Sequence, residues 1–112
     1  MNDEERTKRI AELNDLCRKA MGIGGHLVQT VGINALPAGD QSAIRQKVET
    51  FSKFTWRNDP HKERDYGSFI HNRERIIWKI DYYAPDMMGG SEDPADPRKT
   101  ARVLTIMLAR EY

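Results

Sequence analysis

An α+β fold is predicted: a small antiparallel sheet of about three strands with helices packed on one face, in the order α-β-α-β-β-α. Three observations predict it. Apolar residues recur at three- and four-residue spacing near the N-terminus and again over 44–54, as in amphipathic helices. Residues 74–83 alternate with a period of two, as in a half-covered strand. Asn72-Arg73 separates that stretch from a shorter apolar one at 67–71, the spacing of a hairpin turn.

The first helix carries Ile10, Leu13, Leu16, Cys17, Ala20 and Met21 on one predicted apolar stripe. Asp3, Glu4 and Glu5 suit the positive end of its dipole. Gly22-Ile23-Gly24-Gly25 is its expected stop, because glycine accepts the left-handed conformation that ends helices. Residues 26–33 are dense in β-branched side chains and predict a strand, with Leu27, Gln29, Val31 and Ile33 on one face. Gly32 weakens that strand and marks a bulge or a close neighbour. Asp40 is the expected N-cap of a second helix whose apolar face holds Ile44, Val48 and Phe51.

Residues 55–66 read as a polar loop with a turn at Asn58-Asp59-Pro60. A loop of about twelve residues is long for so short a chain and is a place to look for function. In the second hairpin strand Ile76, Trp78, Ile80 and Tyr82 are expected to be sealed from water, while Ile77, Lys79, Asp81 and Tyr83 look outward. Residues 84–97 form a second loop with four acids, Asp86, Glu92, Asp93 and Asp96, and no base. Its Asp93-Pro94 and Asp96-Pro97 pairs resemble helix starts. They favour a helix over 98–110, although Val103, Thr105 and Ile106 keep a strand open.

The chain has 112 residues, enough for one domain spanning 1–112. Charged residues are 31% of it, yet the net charge is +1, which argues against a nucleic-acid binder driven by bulk electrostatics. One cysteine excludes an intrachain disulfide and a CxxC metal knuckle, which fits a reducing compartment. The first twenty residues hold no long apolar run, so no export is expected, and the stretches 76–78 and 103–109 are too short to span a bilayer. A cytoplasmic protein with no membrane role is the expectation.

Several motifs together carry a resemblance: Asn58-Asp59-Pro60, Asp65-Tyr66-Gly67, the run WKIDYY at 78–83, Asp93-Pro94-Ala95-Asp96-Pro97, and RVLTIMLA with EY closing the chain. Over about residues 8 to 112 the sequence resembles a bacterial family of short proteins of unknown function, common in alphaproteobacteria and on mobile elements. Where relatives carry Glu-His-Asp, this chain has Glu63-Arg64-Asp65, which takes a histidine-dependent chemistry away from that point. The resemblance implies a cytoplasmic bacterial protein and no particular activity.

Side-chain chemistry leaves three functional readings. The first is a non-catalytic protein-binding accessory or regulatory module of a mobile element, with inhibition of a defence system as one version. Trp56, Arg57, Tyr66, Lys79, Asp81 and Tyr83 are its expected anchors, because aromatic and arginine side chains dominate interface energetics. The second is a metal-assisted hydrolase or nuclease, if Asp59, Asp65, Asp81 and Asp93 converge as oxygen ligands. The third is weak nucleic-acid binding through Arg98, Lys99, Arg102 and Arg110 on the basic side of the last helix. His26, His61 and His71 lack metal-ligand spacing, no serine sits in a nucleophile elbow, and no cofactor motif is present. No cofactor is therefore expected.

Overall fold

The computed structural model describes residues 1–21 and 25–112. The expected glycine stop at 22–24 lies outside the described residues. The elements are α1 (Asp3–Lys19), β1 (His26–Gln29), α2 (Val31–Asn34), α3 (Ala38–Glu49), β2 (Tyr66–His71), β3 (Glu74–Tyr83) and β4 (Ala101–Leu108). The strands form one mixed sheet in the order β1-β4-β3-β2. β4 runs antiparallel to β3 and parallel to β1, and β2 is antiparallel to β3. The fold is thus α+β as predicted, but the sheet has four strands and one parallel pair.

The largest departure is β4. The prolines and aspartates before it do form a cap: the Asp96 side chain accepts the Arg98 N–H at 2.9 Å. That cap starts only a 3-10 turn over Pro97–Lys99. The chain then extends, because Val103, Thr105 and Ile106 favour a strand and β4 lies between two others. A central strand buried on both faces reads as a continuous apolar run, which periodicity cannot tell from a helix. With the last helix goes its basic side, and so the surface on which the nucleic-acid reading stood.

β1 is shorter than expected. The Thr30 N–H still donates to the Ile106 carbonyl at 3.1 Å, and the chain then turns into the single helical turn α2. Glu111 holds this turn: its carboxylate accepts the Thr30 hydroxyl at 2.6 Å and the Gly32 N–H at 2.8 Å. Gly32 allows this close approach: a Cβ there would meet Glu111 Oε1 and Leu108 Cδ1 at 2.6 Å, and those side chains would have to shift. Val31 and Ile33, expected on one strand face, part company in this turn: Val31 is 84% exposed and Ile33 is buried.

α1 is capped by Asn2, whose side chain accepts the Glu5 N–H at 2.8 Å. Its buried face keeps Ile10 and Cys17 of the predicted stripe and adds Ala11, Asn14 and Arg18, while Leu16 is 63% exposed. α3 begins two residues before Asp40, with Pro37 at its N-cap; Asp40 instead accepts from His71 Nε2 and Asn72 Nδ2. Ile44 and Val48 face the core as expected. The hairpin matches its prediction within one residue, and Asn72 and Arg73 both take positive φ, 49° and 67°, as a type I′ turn requires.

The helices cover one sheet face. Ile76, Trp78 and Ile80 of β3 and Leu104, Ile106 and Leu108 of β4 pack there with Cys17, Ile33, Ile44 and Val48. Trp78 is fully buried, with Phe51 and Phe54 meeting it edge-on at 5.6 and 6.1 Å. The Arg18 guanidinium lies 5.2 Å above the Trp78 ring and donates to the Val48 and Glu49 carbonyls at 2.9 and 3.0 Å. It thereby caps the C-terminus of α3 with a positive charge, where the helix dipole favours one.

Candidate functional site

Among the described residues, no helix covers the other sheet face. β3 sets out Ile77, Lys79, Asp81 and Tyr83 on it, and register adds Met107, Thr105 and Val103 of β4 and Ser68 and Tyr66 of β2. Val28 stands opposite Thr105 across the parallel pair. The predicted alternation is present in part: Ile76, Trp78 and Ile80 are sealed, Lys79 and Asp81 are half-buried and Tyr83 is 36% exposed, but Tyr82, expected to be sealed, is only half-buried. Ile77, Val103 and Met107 are nonetheless buried, at 5–8% exposure, and lie outside the helix-side core. Ile77 and Met107 stand opposite each other, and Val103 lies beyond Thr105 along β4. On the same face Val28 is 44% and Ile70 61% exposed, and Lys79 forms an ion pair with Asp81.

The 55–66 loop is held by its own side chains. Asn58 Oδ1 accepts the Thr55 N–H at 2.8 Å, and Asp59 Oδ1 accepts the Arg64 N–H at 3.0 Å. Trp56 is 76% exposed, and the Arg57 guanidinium stacks on it at 5.1 Å. A depression beside Trp56 is lined by Phe54, Asp59 and Lys62. The predicted anchors therefore fall into two groups: Tyr66, Lys79, Asp81 and Tyr83 share the open face, and Trp56 with Arg57 sits on the loop.

Beneath the loop runs a buried polar chain that the sequence did not suggest. Arg102 Nε donates to Asn14 Oδ1 at 2.7 Å, Asn14 Nδ2 donates to the Tyr82 hydroxyl at 2.7 Å, and that hydroxyl donates to Glu63 Oε1 at 2.7 Å. Asn14 Nδ2 also reaches the Glu63 carbonyl at 2.9 Å, and Arg102 donates to the Pro94 carbonyl at 2.5 Å. Both long loops are thus tied to α1 and the sheet through Asn14 and Arg102. Burial and the Glu63 carboxylate push the Tyr82 phenol far above its usual range, so it stays protonated and donates. Burial pushes the Asp65 carboxyl up, reinforced by the charges of Glu63 and Asp59. Arg102, expected on a basic surface, is 5% exposed and belongs to this interior chain. Arg98 remains at the surface, engaged with Asp96.

The four aspartates do not converge. Asp59 braces its loop, and the Asp65 carbonyl accepts the Ile80 N–H at 2.8 Å. Asp81 pairs with Lys79 on the open face, and Asp93 accepts from Arg6 at 3.1 Å. Among the described residues no group of three or more His, Cys, Asp or Glu side chains is arranged to hold a metal. Geometry of this kind leaves the hydrolase reading without its ligand set. Of the histidines, His71 bridges Asp40 and Lys47. Cys17 is buried, and desolvation raises its pKa, with Arg102 opposing; neither favours a nucleophile.

Fold and surface define the class: a small two-layer α+β protein with one sheet face packed by helices and the other bare and partly apolar. The chain belongs to the family described as protein of unknown function (DUF3768), which matches residues 29–111. That assignment agrees with the resemblance drawn from the motifs. No curated protein and no solved structure matches it. Among the described residues, no helix is long and apolar enough to cross a membrane.

Proposed function

We propose that this protein is a non-catalytic binding module whose working surface is the helix-free sheet face. One observation carries the reading: Val28, Ile70 and Tyr83 stay exposed, at 44%, 61% and 36%, on a sheet face that no helix covers among the described residues. Large apolar side chains left exposed among polar groups on a bare sheet face fit a protein contact. Tyr66 and Tyr83 supply rigid aromatic area, and the Lys79–Asp81 pair fixes register once water is excluded. Trp56 and Arg57 extend the contact if the partner reaches the loop. The accessory role on a mobile element, and a cytoplasmic setting, rest on the family resemblance and not on this geometry.

Thr105→Glu tests the reading, because Thr105 stands at the middle of the face and is not part of the helix-side core. The variant is expected to keep its melting temperature and to lose the cellular protein that the wild-type chain retains on affinity capture. Equal capture by both chains contradicts the proposal.

A further inference from the structure

The open edge of β2 is a second place where this chain can meet another. β2 is the outermost strand on its side of the sheet. The type I′ turn makes His71 and Glu74 a hydrogen-bonded pair, and antiparallel alternation extends this to Phe69 with Ile76 and Gly67 with Trp78. The Ile80 N–H to Asp65 carbonyl bond continues the same series. Tyr66, Ser68 and Ile70 therefore aim their N–H and C=O groups away from β3. Among the described residues, none of these backbone groups has a partner outside the sheet.

Natural edge strands are guarded by proline, lysine, bulges or shortness. β2 has none of these guards. Its sequence YGSFIH contains no proline and no lysine, and its register with β3 is continuous over six pairs. The opposite edge, β1, is only four residues long and gives way to α2.

A groove of about 420 Å³ runs beside this edge, between β2 and the end of α3. Phe51 and Phe69 line it, with Lys47 and Lys53 at its sides and no acidic residue among its walls. Neither lysine has a carboxylate at ion-pair distance among the described residues; Lys47 instead meets His71 Nδ1 at 3.1 Å and the Phe69 ring at 5.8 Å. In a chain of net charge +1 this is a local concentration of positive charge. An added strand places alternate side chains on the two sheet faces. One set would enter the groove between the phenylalanines and lysines, and the other would lie beside Ile70.

We propose that the β2 edge takes up an extended acidic peptide as a fifth strand, with main-chain hydrogen bonds to Tyr66, Ser68 and Ile70 and acidic side chains beside Lys47 and Lys53. Backbone pairing supplies affinity in such strand addition, and the side-chain pockets supply specificity. The edge site borders the bare sheet face at Tyr66, Ser68 and Ile70 but uses their backbone groups, so a substitution in the middle of that face, at Thr105, tells the two apart.

The probe is a fluorescein-labelled eight-residue peptide alternating glutamate with valine, titrated into the full chain and read by anisotropy. The controls are the same peptide with lysine for glutamate and one N-methylated at alternate amides. The acidic peptide is expected to saturate, and both controls to bind at least about tenfold more weakly. Amide signals of Tyr66, Ser68 and Ile70 are expected to shift and gain exchange protection. Ser68→Pro removes an outward N–H without touching the ladder to β3, and should abolish binding. The double variant K47E/K53E leaves the backbone edge in place and should weaken the acidic peptide about tenfold or more. Thr105→Glu should bind it normally. Equal binding of acidic and basic peptides, or binding unchanged in K47E/K53E, overturns the proposal. So does protection of these amides that rises with protein concentration without peptide, since a second copy then occupies the edge.

Discussion

Asn14→Leu removes the centre of the buried polar chain while nearly conserving volume. Asn14 is fully buried, and three hydrogen bonds hold its amide: Arg102 Nε donates to the oxygen, and the nitrogen donates to the Tyr82 hydroxyl and the Glu63 carbonyl. A hydrogen bond to a charged group is worth about 1.5–3 kcal/mol and a neutral one about 1 kcal/mol. The bond to Arg102 is of the first kind and the other two of the second. Partial relaxation of the 59–65 loop returns some of that, which leaves a loss of about 3–4 kcal/mol. Unfolding entropy near 2.1 cal/mol/K per residue converts this, for 112 residues, to a fall in Tm of roughly 15 °C. Calorimetry measures it directly. Pairing the change with Arg102→Met removes both ends of the strongest bond, so the double variant should lose at least about 1 kcal/mol less than the two single losses together. Additivity within about 0.5 kcal/mol, or a single-variant loss under about 1 kcal/mol, refutes the claim that this chain holds the loops.

Three further outcomes follow from the interior. Gly67→Ala puts a Cβ onto Trp78 Nε1 and within 2.9 Å of Phe51 Cζ, inside a core with no slack; chemical denaturation should show a loss of about 1–3 kcal/mol, which Trp78→Phe should partly relieve. Cys17, buried and raised in pKa, should react with a thiol reagent at pH 8 only as fast as the chain opens, and completely in denaturant; fast labelling of the native chain contradicts its burial. Asp65 is pushed up by burial, so its folded pKa lies above its unfolded value. An acid shifted that way costs no stability below its unfolded pKa, and the cost grows as pH rises towards the folded pKa. Asp65→Asn should therefore raise Tm at pH 7 and lose that gain near pH 3; a gain that is independent of pH contradicts the assignment.

The hairpin was legible because its signals are local. A period of two with Asn72-Arg73 between the strands specifies turn, pairing and faces within eighteen residues. The open face followed from the same alternation. β4 was not legible, because an interior strand loses its alternation and its proline-aspartate prelude imitates a helix start. The buried face of α1 was partly misplaced, for a related reason. Hydrophobic spacing assumes that polar residues face water, yet Asn14 and Arg18 point inward because their partners are carbonyls and side chains far away in sequence. Arg102 lies 88 positions from Asn14, and no local pattern announces such a bond. Among the expected site residues, Tyr66, Lys79, Asp81 and Tyr83 fell on one surface because they belong to the hairpin. Asp59, Asp81 and Asp93 scattered because each serves its own loop brace or ion pair.

The proposal that the bare sheet face meets a partner is tested most directly by photo-crosslinking in cells. A benzophenone amino acid replaces Tyr83 on that face, or Leu16 on the solvent side of α1, both of which are exposed. The account predicts a discrete adduct to one protein from position 83 and none from position 16. An adduct from position 16 alone, or the same adducts from both, would contradict it.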